Sequence, residues 1–197
     1  MRVTLLDLGA GNLYSLEKAL RAVLPEADVK IEADPSAALA TDLLVLPGVG
    51  AFGQAATRLG SARGELRAAL LGGLPCIGIC LGKQLLFERS EEGDGAGIGF
   101  IEGEVTRLAA PRLPHMGWSR LEARVSGLEL PRAVYFAHSF ACRPADASVI
   151  VATASVEGDT FPAIVRKGNA IGAQFHPEKS SSAGVALLGR LARSVLS

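Results

Sequence analysis

Apolar residues in the first ninety positions come in short runs separated by stretches of helical spacing. Residues 3–8 form a largely apolar run that includes Asp7, the pattern of a strand buried on both faces. Gly9-Ala10-Gly11-Asn12 predicts a tight turn. Leu13, Leu16, Ala19, Leu20 and Val23 then recur at helical spacing, and Pro25 closes that segment. Short strands are predicted over residues 29–32 and 43–46, the second running straight into Pro47-Gly48-Val49-Gly50. A helix is predicted over residues 54–71, ended by Gly72-Gly73. Residues 76–80 then read as a buried strand that passes directly into helix-friendly residues 81–87. Alternating strands and helices imply right-handed crossovers and a mainly parallel sheet.

The rhythm changes after Ser90. Residues 91–97 are a glycine-rich acidic loop, and strand-like pieces follow with little helix between them, over 103–108, 133–138, 148–154, 163–166 and 170–175. They predict an antiparallel extension of the same sheet, before a last helix over 182–195. The expected fold is α/β, three-layered, with a mainly parallel central sheet flanked by helices. Without repeats, linkers or low-complexity tracts, residues 1–197 are expected to form one domain.

Composition narrows the function classes. Of the 197 residues, 49% are hydrophobic and 20% charged, ordinary for a chain with a proper core, and Lys+Arg balance Asp+Glu at 20 each. That balance offers no basic surplus for nucleic acid or an anionic membrane. No apolar run reaches the ~18 residues of a membrane span, and the N-terminus reads as a strand and not a signal peptide. Cys76, Cys80 and Cys142 make an odd count without framework spacing, so free thiols in a reducing cytoplasm are expected. Three histidines among scattered cysteines make a poor metal site, and no metal or cofactor is expected.

Candidate chemistry concentrates at the junction of the strand 76–80 and the following helix. Gly78-Ile79-Cys80-Leu81-Gly82 has the Gly-x-nucleophile-x-Gly form of a nucleophile elbow, a sharp strand-to-helix turn that pushes one side chain outward. A helix start beside the thiol favours the thiolate. A nucleophilic thiol needs a base and a group that orients the base. His176, in Gln174-Phe175-His176-Pro177-Glu178-Lys179, sits just past a predicted strand. Glu178 lies two residues on, where extended geometry would put its carboxylate on the same side as the imidazole. His138, in Tyr135-Phe136-Ala137-His138-Ser139, fits equally a strand-end histidine bonded to backbone and a pocket residue. His115, in Pro114-His115-Met116-Gly117-Trp118, falls in a turn-rich loop suited to a contact surface. The Pro47–Gly50 loop could turn backbone N–H groups toward an oxyanion, joined by the N–H of Leu81. The glycines at 9 and 11 lack the dinucleotide-binding spacing.

The pairing of Gly78-Ile79-Cys80-Leu81-Gly82-x-Gln84 with a later His176-Pro177-Glu178 resembles the class I (triad) glutamine amidotransferases. Gly11-Asn12, Pro47-Gly48-Val49-Gly50 with Phe52, the 114–118 motif, Tyr135-Phe136-x-His138-Ser139 and Gln174 to Ser180 are similar to the glutaminase subunits of imidazole glycerol phosphate synthases within that class. Many class members have Pro-Gly-Gly where Pro47-Gly48-Val49 stands. The resemblance implies Cys80, His176 and Glu178 as the catalytic residues, and backbone N–H groups of Val49, Gly50 and Leu81 as the oxyanion hole. It implies Gln84, Glu92, His138 and Ser139 as glutamine-binding residues. Asn12, Trp118, Tyr135 and Lys179 would face a separate (β/α)8 cyclase subunit that uses the ammonia in histidine biosynthesis. The alternatives are the glutaminase of another synthase (pyridoxal phosphate or anthranilate) and a non-catalytic scaffold of the same fold. Two residues depart from the family pattern. Ser119 stands in place of the usual Asn. Lys83 stands in place of the usual Met, leaving open whether it reaches solvent, snorkels past its neighbours or alters the packing under Cys80.

Overall fold

The computed structural model describes residues 1–9 and 13–197. Most of the predicted turn 9–12, with Asn12, therefore lies outside the described residues. The first half alternates as its hydrophobic pattern predicts: β1 (Arg2–Leu6), α1 (Tyr14–Val23), β2 (Asp28–Glu32) and β3 (Leu43–Leu46). The helix expected over 54–71 is instead two, α2 (Phe52–Leu59) and α3 (Arg63–Leu71), parted by a 3-10 turn at Gly60, whose φ is +47°. Next come β4 (Cys76–Ile79) and α4 (Leu81–Leu85), the latter two residues shorter than the predicted 81–87.

In the described residues the central sheet has eight strands. β2, β1, β3 and β4 run parallel, and β4 also pairs in parallel with β13 (Ala170–Ala173), a strand from the other end of the chain. Antiparallel strands complete the sheet: β12 (Asp159–Lys167), β11 (Ile150–Val156) and the short β8 (Glu122–Ala123). The predicted antiparallel extension is thus present, but residues 103–108 and 133–138 do not join it. β6 (Gly103–Arg107) pairs with β5 (Arg89–Ser90) and β10 (Phe140–Pro144) in a sheet of its own. β9 (Val134–His138) pairs with β7 (His115–Ser119), so the expected 114–118 loop is largely a strand. Pro114 and Gly117 read as turn residues locally. The partner strand at 134–138 supplies the ladder that makes them extended.

The central strands are buried on both faces, and their side chains alternate between two hydrophobic clusters. Val3, Leu5, Leu43, Val45, Ile77 and Ile79 point to one, under α1 and the 16-residue α5 (Ser181–Leu196). Leu6, Leu44, Leu46 and Cys76 point to the other, under α2, α3 and α4. No described helix is long and apolar enough to cross a membrane. β4 and β13 are neighbours at the middle of the sheet, so Cys80 and His176, each just beyond one of their ends, emerge side by side.

Candidate active site

Backbone contact sets the turn at Cys80. β4 ends at Ile79 and α4 begins at Leu81, so Cys80 alone makes the reversal, with φ 47° and ψ −103°. Such a conformation costs a non-glycine residue roughly 1–3 kcal/mol and persists only where its surroundings enforce it. Here they do. A Cβ at Gly78 would lie 2.6 Å from the carbonyl oxygen of Gly82, and a Cβ at Gly82 would overlap the carbonyl oxygen of Leu46. The Cys80 N–H donates to the Ala173 carbonyl at 2.7 Å, tying the elbow to the end of β13. Five residues of helix generate only a weak dipole, so the field expected from the helix start adds little at the thiol.

His176 is anchored from the other side. Its N–H donates to the Tyr135 carbonyl at 2.9 Å. The buried Ser180 hydroxyl donates to the His176 carbonyl at 2.6 Å and accepts the Tyr135 N–H at 2.9 Å. The expected extended arrangement of His176 and Glu178 is replaced by a 3-10 turn over Pro177–Lys179. Proline's fixed φ and missing N–H suit the first position of a helical turn. The turn brings the Glu178 carboxylate back to the ring, where Nδ1–H donates to Oε1 at 2.8 Å. That bond leaves Nε2 for the Cys80 sulphur, with which the imidazole is hydrogen-bonded. Burial pulls the His176 pKa down. The hydrogen bonds to Cys80 and Glu178 and their negative charges outweigh it, carrying the pKa from the ordinary 6.5 up to about 9. The ring is therefore protonated at neutral pH and poised to deliver a proton. Burial alone pushes the Cys76 thiol up to about 12 and is the main cause that pushes Cys142 up to about 11.

Cys80, Leu81, Gln84, Glu92, His138, Ser139 and His176 line one cleft together with the Gly48–Gly50 loop and Lys179. Its volume, about 200 Å³, is below the ~300–1,000 Å³ of sites for drug-sized molecules and suits a small substrate. Leu81 is the first helical residue, so its N–H has no intrahelical acceptor.

Comparison with known proteins decides the family. Residues 4–190 match the family "Glutamine amidotransferase class-I". The chain belongs to the class-I glutamine amidotransferases. Among its relatives, the "Imidazole glycerol phosphate synthase subunit HisH" of Nocardia farcinica is 44% identical, with 94% of each chain covered. The proteins of the same name from Aquifex aeolicus and Pyrococcus furiosus are 42% and 39% identical, covering 98% of this chain and 97% and 98% of theirs. Two solved glutamine amidotransferases share the fold. One has a TM-score of 0.77 at 22% identity, with 98% of both chains covered. The other, from Thermotoga maritima, has a TM-score of 0.72 at 18% identity, covering 100% of this chain and 98% of that one.

Other residues that line the cleft bond to backbone groups. Gln84 Nε2 donates to the Phe140 carbonyl at 3.0 Å, and Glu92 Oε2 accepts the Phe52 N–H at the start of α2 at 2.9 Å. His138 bonds the Phe140 carbonyl through Nδ1 at 2.9 Å, as expected of a strand-end histidine, and it also lines the cleft. Its Nε2 is buried without a partner. Burial is the main cause that lowers its pKa to about 3, against the Phe140 bond that raises it. Trp118 is 55% exposed and meets the Tyr135 ring edge-on, with centroids 6.2 Å apart, and Lys179 is exposed.

Two residues near Cys80 went unassigned by sequence reasoning. Lys83 neither reaches solvent nor snorkels; it is fully buried under the elbow. Gln174, at the end of the buried strand, is fully buried too and touches the Cys80 sulphur. The available signal was a polar residue inside a largely apolar stretch: Lys83, beside Gln84, in 81–87 and Gln174 in 170–175.

Proposed function

We propose that this amidotransferase is the glutaminase subunit of an imidazole glycerol phosphate synthase, acting in the cytoplasm in histidine biosynthesis. The convergence of Cys80 and His176 in one small cleft, with Glu178 bonded to the imidazole behind them, carries the proposal. The 39–44% identity to the HisH subunits, over nearly the whole chain, supports the choice of synthase. All 197 residues act as one amidotransferase domain, in keeping with the family match over 4–190.

The Cys80 thiolate attacks the side-chain amide carbon of glutamine, held by Gln84, Glu92, His138 and Ser139. The N–H groups of Leu81 and of Val49 or Gly50 hold the oxyanion of the tetrahedral intermediate. Protonated His176 gives its proton to the departing nitrogen, so ammonia leaves and a glutamyl thioester remains. Neutral His176 then takes a proton from water, whose attack releases glutamate and restores the thiolate and imidazolium. Glu178 keeps the ring oriented throughout. Ammonia passes to a separate (β/α)8 cyclase subunit docked against the face that carries Trp118, Tyr135 and Lys179.

Mixing the chain with such a cyclase, with and without its ribulosyl phosphate ligand, and measuring glutamate release tests the proposal. Release is expected to be low for the chain alone and to rise strongly with liganded cyclase. Cys80→Ala is expected to bind the cyclase and release none. Glutamine-dependent synthesis by a complex carrying Cys80→Ala would overturn it.

A further inference from the structure

Lys83 takes no part in the reaction just described, yet its surroundings are organised around the nucleophile. It lies three residues after Cys80 on α4 and is fully buried. Its stem is clamped by β13, where a Cβ at Gly172 would lie 2.6 Å from Lys83 Cγ. Its Nζ donates to the Pro162 carbonyl at 2.5 Å and to Gln174 Oε1 at 3.2 Å. Neither is a carboxylate, and among the described residues Lys83 makes no ion pair. Burial lowers its pKa, and the groups that oppose burial are the sulphurs of Cys142 and Cys80. Cys142, pushed up to about 11, stays a neutral thiol at pH 7.

Gln174 connects Lys83 to Cys80. Its Nε2 donates to the Cys80 sulphur at 3.7 Å. An ammonium only donates, so it accepts one orientation of the amide, with Oε1 toward Lys83 and Nε2–H toward the sulphur. The other charged or titratable groups around this cluster are committed. Arg143 pairs with Asp159 at 2.7 and 2.8 Å, His138 stays neutral down to about pH 3, and His176 is bound to Glu178.

We propose that Lys83 is a positioning residue for Cys80, fixing the Gln174 amide so that it holds a hydrogen-bond donor on the sulphur. The proposal rests on Cys80 being the nucleophile.

The test is alkylation of the full chain by iodoacetamide between about pH 5 and 10, quantified at Cys80 by peptide mass spectrometry. The buried Cys76 and Cys142 serve as blanks. Lys83→Met keeps length and apolar volume while removing the charge and donors; Gln174→Leu removes the relay itself. Each variant, its fold checked by thermal melting, is expected to slow Cys80 alkylation near pH 6–7 by roughly tenfold, with the deficit closing in alkali. The double variant is expected to be no slower than either single one. A Lys83→Met protein with the wild-type pH profile, or one slowed equally at every pH, would overturn the proposal. Should Lys83→Met not fold, an unchanged profile in Gln174→Leu overturns it equally. A wild-type Cys80 that resists alkylation at all pH values would instead remove the nucleophile assignment on which the proposal stands.

Discussion

The elbow at Cys80 and the β7–β9 ribbon beside it are built on opposite terms. At the elbow, backbone lies against backbone: α4 against β3 through Gly82, α4 against β4 through Gly78, and Cys80 itself bonded to β13. The ribbon has one committed face. Val134, Phe136 and His138 turn inward, with Phe136 packed edge-on against Phe161 and Phe175 at 5.6 and 5.8 Å. Met116 and Trp118 turn outward, 64% and 55% exposed. A two-stranded ribbon is marginal by itself, so its buried face anchors it and its other face is left for something else. Cys80 is thus positioned by the chain's own packing, while the adjoining ribbon keeps an exposed apolar face.

The largest expected effect breaks the comparison at a single methyl group. Gly82→Ala is expected to leave no folded protein or to cost more than ~4 kcal/mol, because the new Cβ meets the Leu46 backbone. Gly117→Ala on the ribbon meets nothing within 4 Å and strains only its own φ of +143°, at a cost of about 1 kcal/mol. Urea unfolding of both proteins measures the contrast, and equal losses would remove it. Next in size is Glu178→Gln, which keeps the shape of the triad but not the charge on Nδ1. Glutaminase activity of the cyclase complex should fall roughly 10²–10⁴-fold without loss of stability beyond ~1 kcal/mol.

Protonation separates the two regions further. His138, with its pKa lowered to about 3, contributes stability that is complete above its ordinary 6.5 and is lost as pH falls toward 3. His176, raised to about 9, has the opposite sign: its contribution is complete below 6.5 and is lost as pH rises to about 9. Each slope is at most about 1.4 kcal/mol per pH unit. Urea midpoints between about pH 5 and 9 should therefore peak near neutrality. His138→Gln is expected to flatten the acid limb and Cys80→Ala the alkaline one. The smallest expected change is Trp118→Ala, within ~0.5 kcal/mol of wild-type stability but weaker in cyclase binding by roughly tenfold, as for an exposed aromatic anchor. A titration calorimetry experiment with the cyclase reads it directly.

The parallel half of the sheet was legible because its evidence is local: apolar runs of strand length, helical spacing between them, and glycines or a proline at the breaks. The elbow was legible for the same reason, since Gly78 and Gly82 bracket Cys80 in the chain as they do in space. Residues 115–119 were not, because Pro114 and Gly117 argue locally for turns and only the pairing with 134–138 makes them a strand. The bond between His176 and Glu178 was anticipated but its geometry was not, because Pro177 can end a strand or start a helical turn, and the anchoring of His176 to Tyr135 selects the turn.

What the amino-acid order determined by itself is the glycine-bracketed turn at Cys80, the apolar pattern that builds the parallel strands and the closeness of Glu178 to His176, all signals carried by neighbouring residues in the chain. What only the tertiary structure decided is the interior of the site: that β13 inserts beside β4, that Cys80 and His176 therefore meet, and that Lys83 lies beneath them with Gln174 between. Burial of a charged side chain is a property of the segments that close over it. For Lys83 those segments are β10, β12 and β13, which lie about sixty to ninety residues away in the chain.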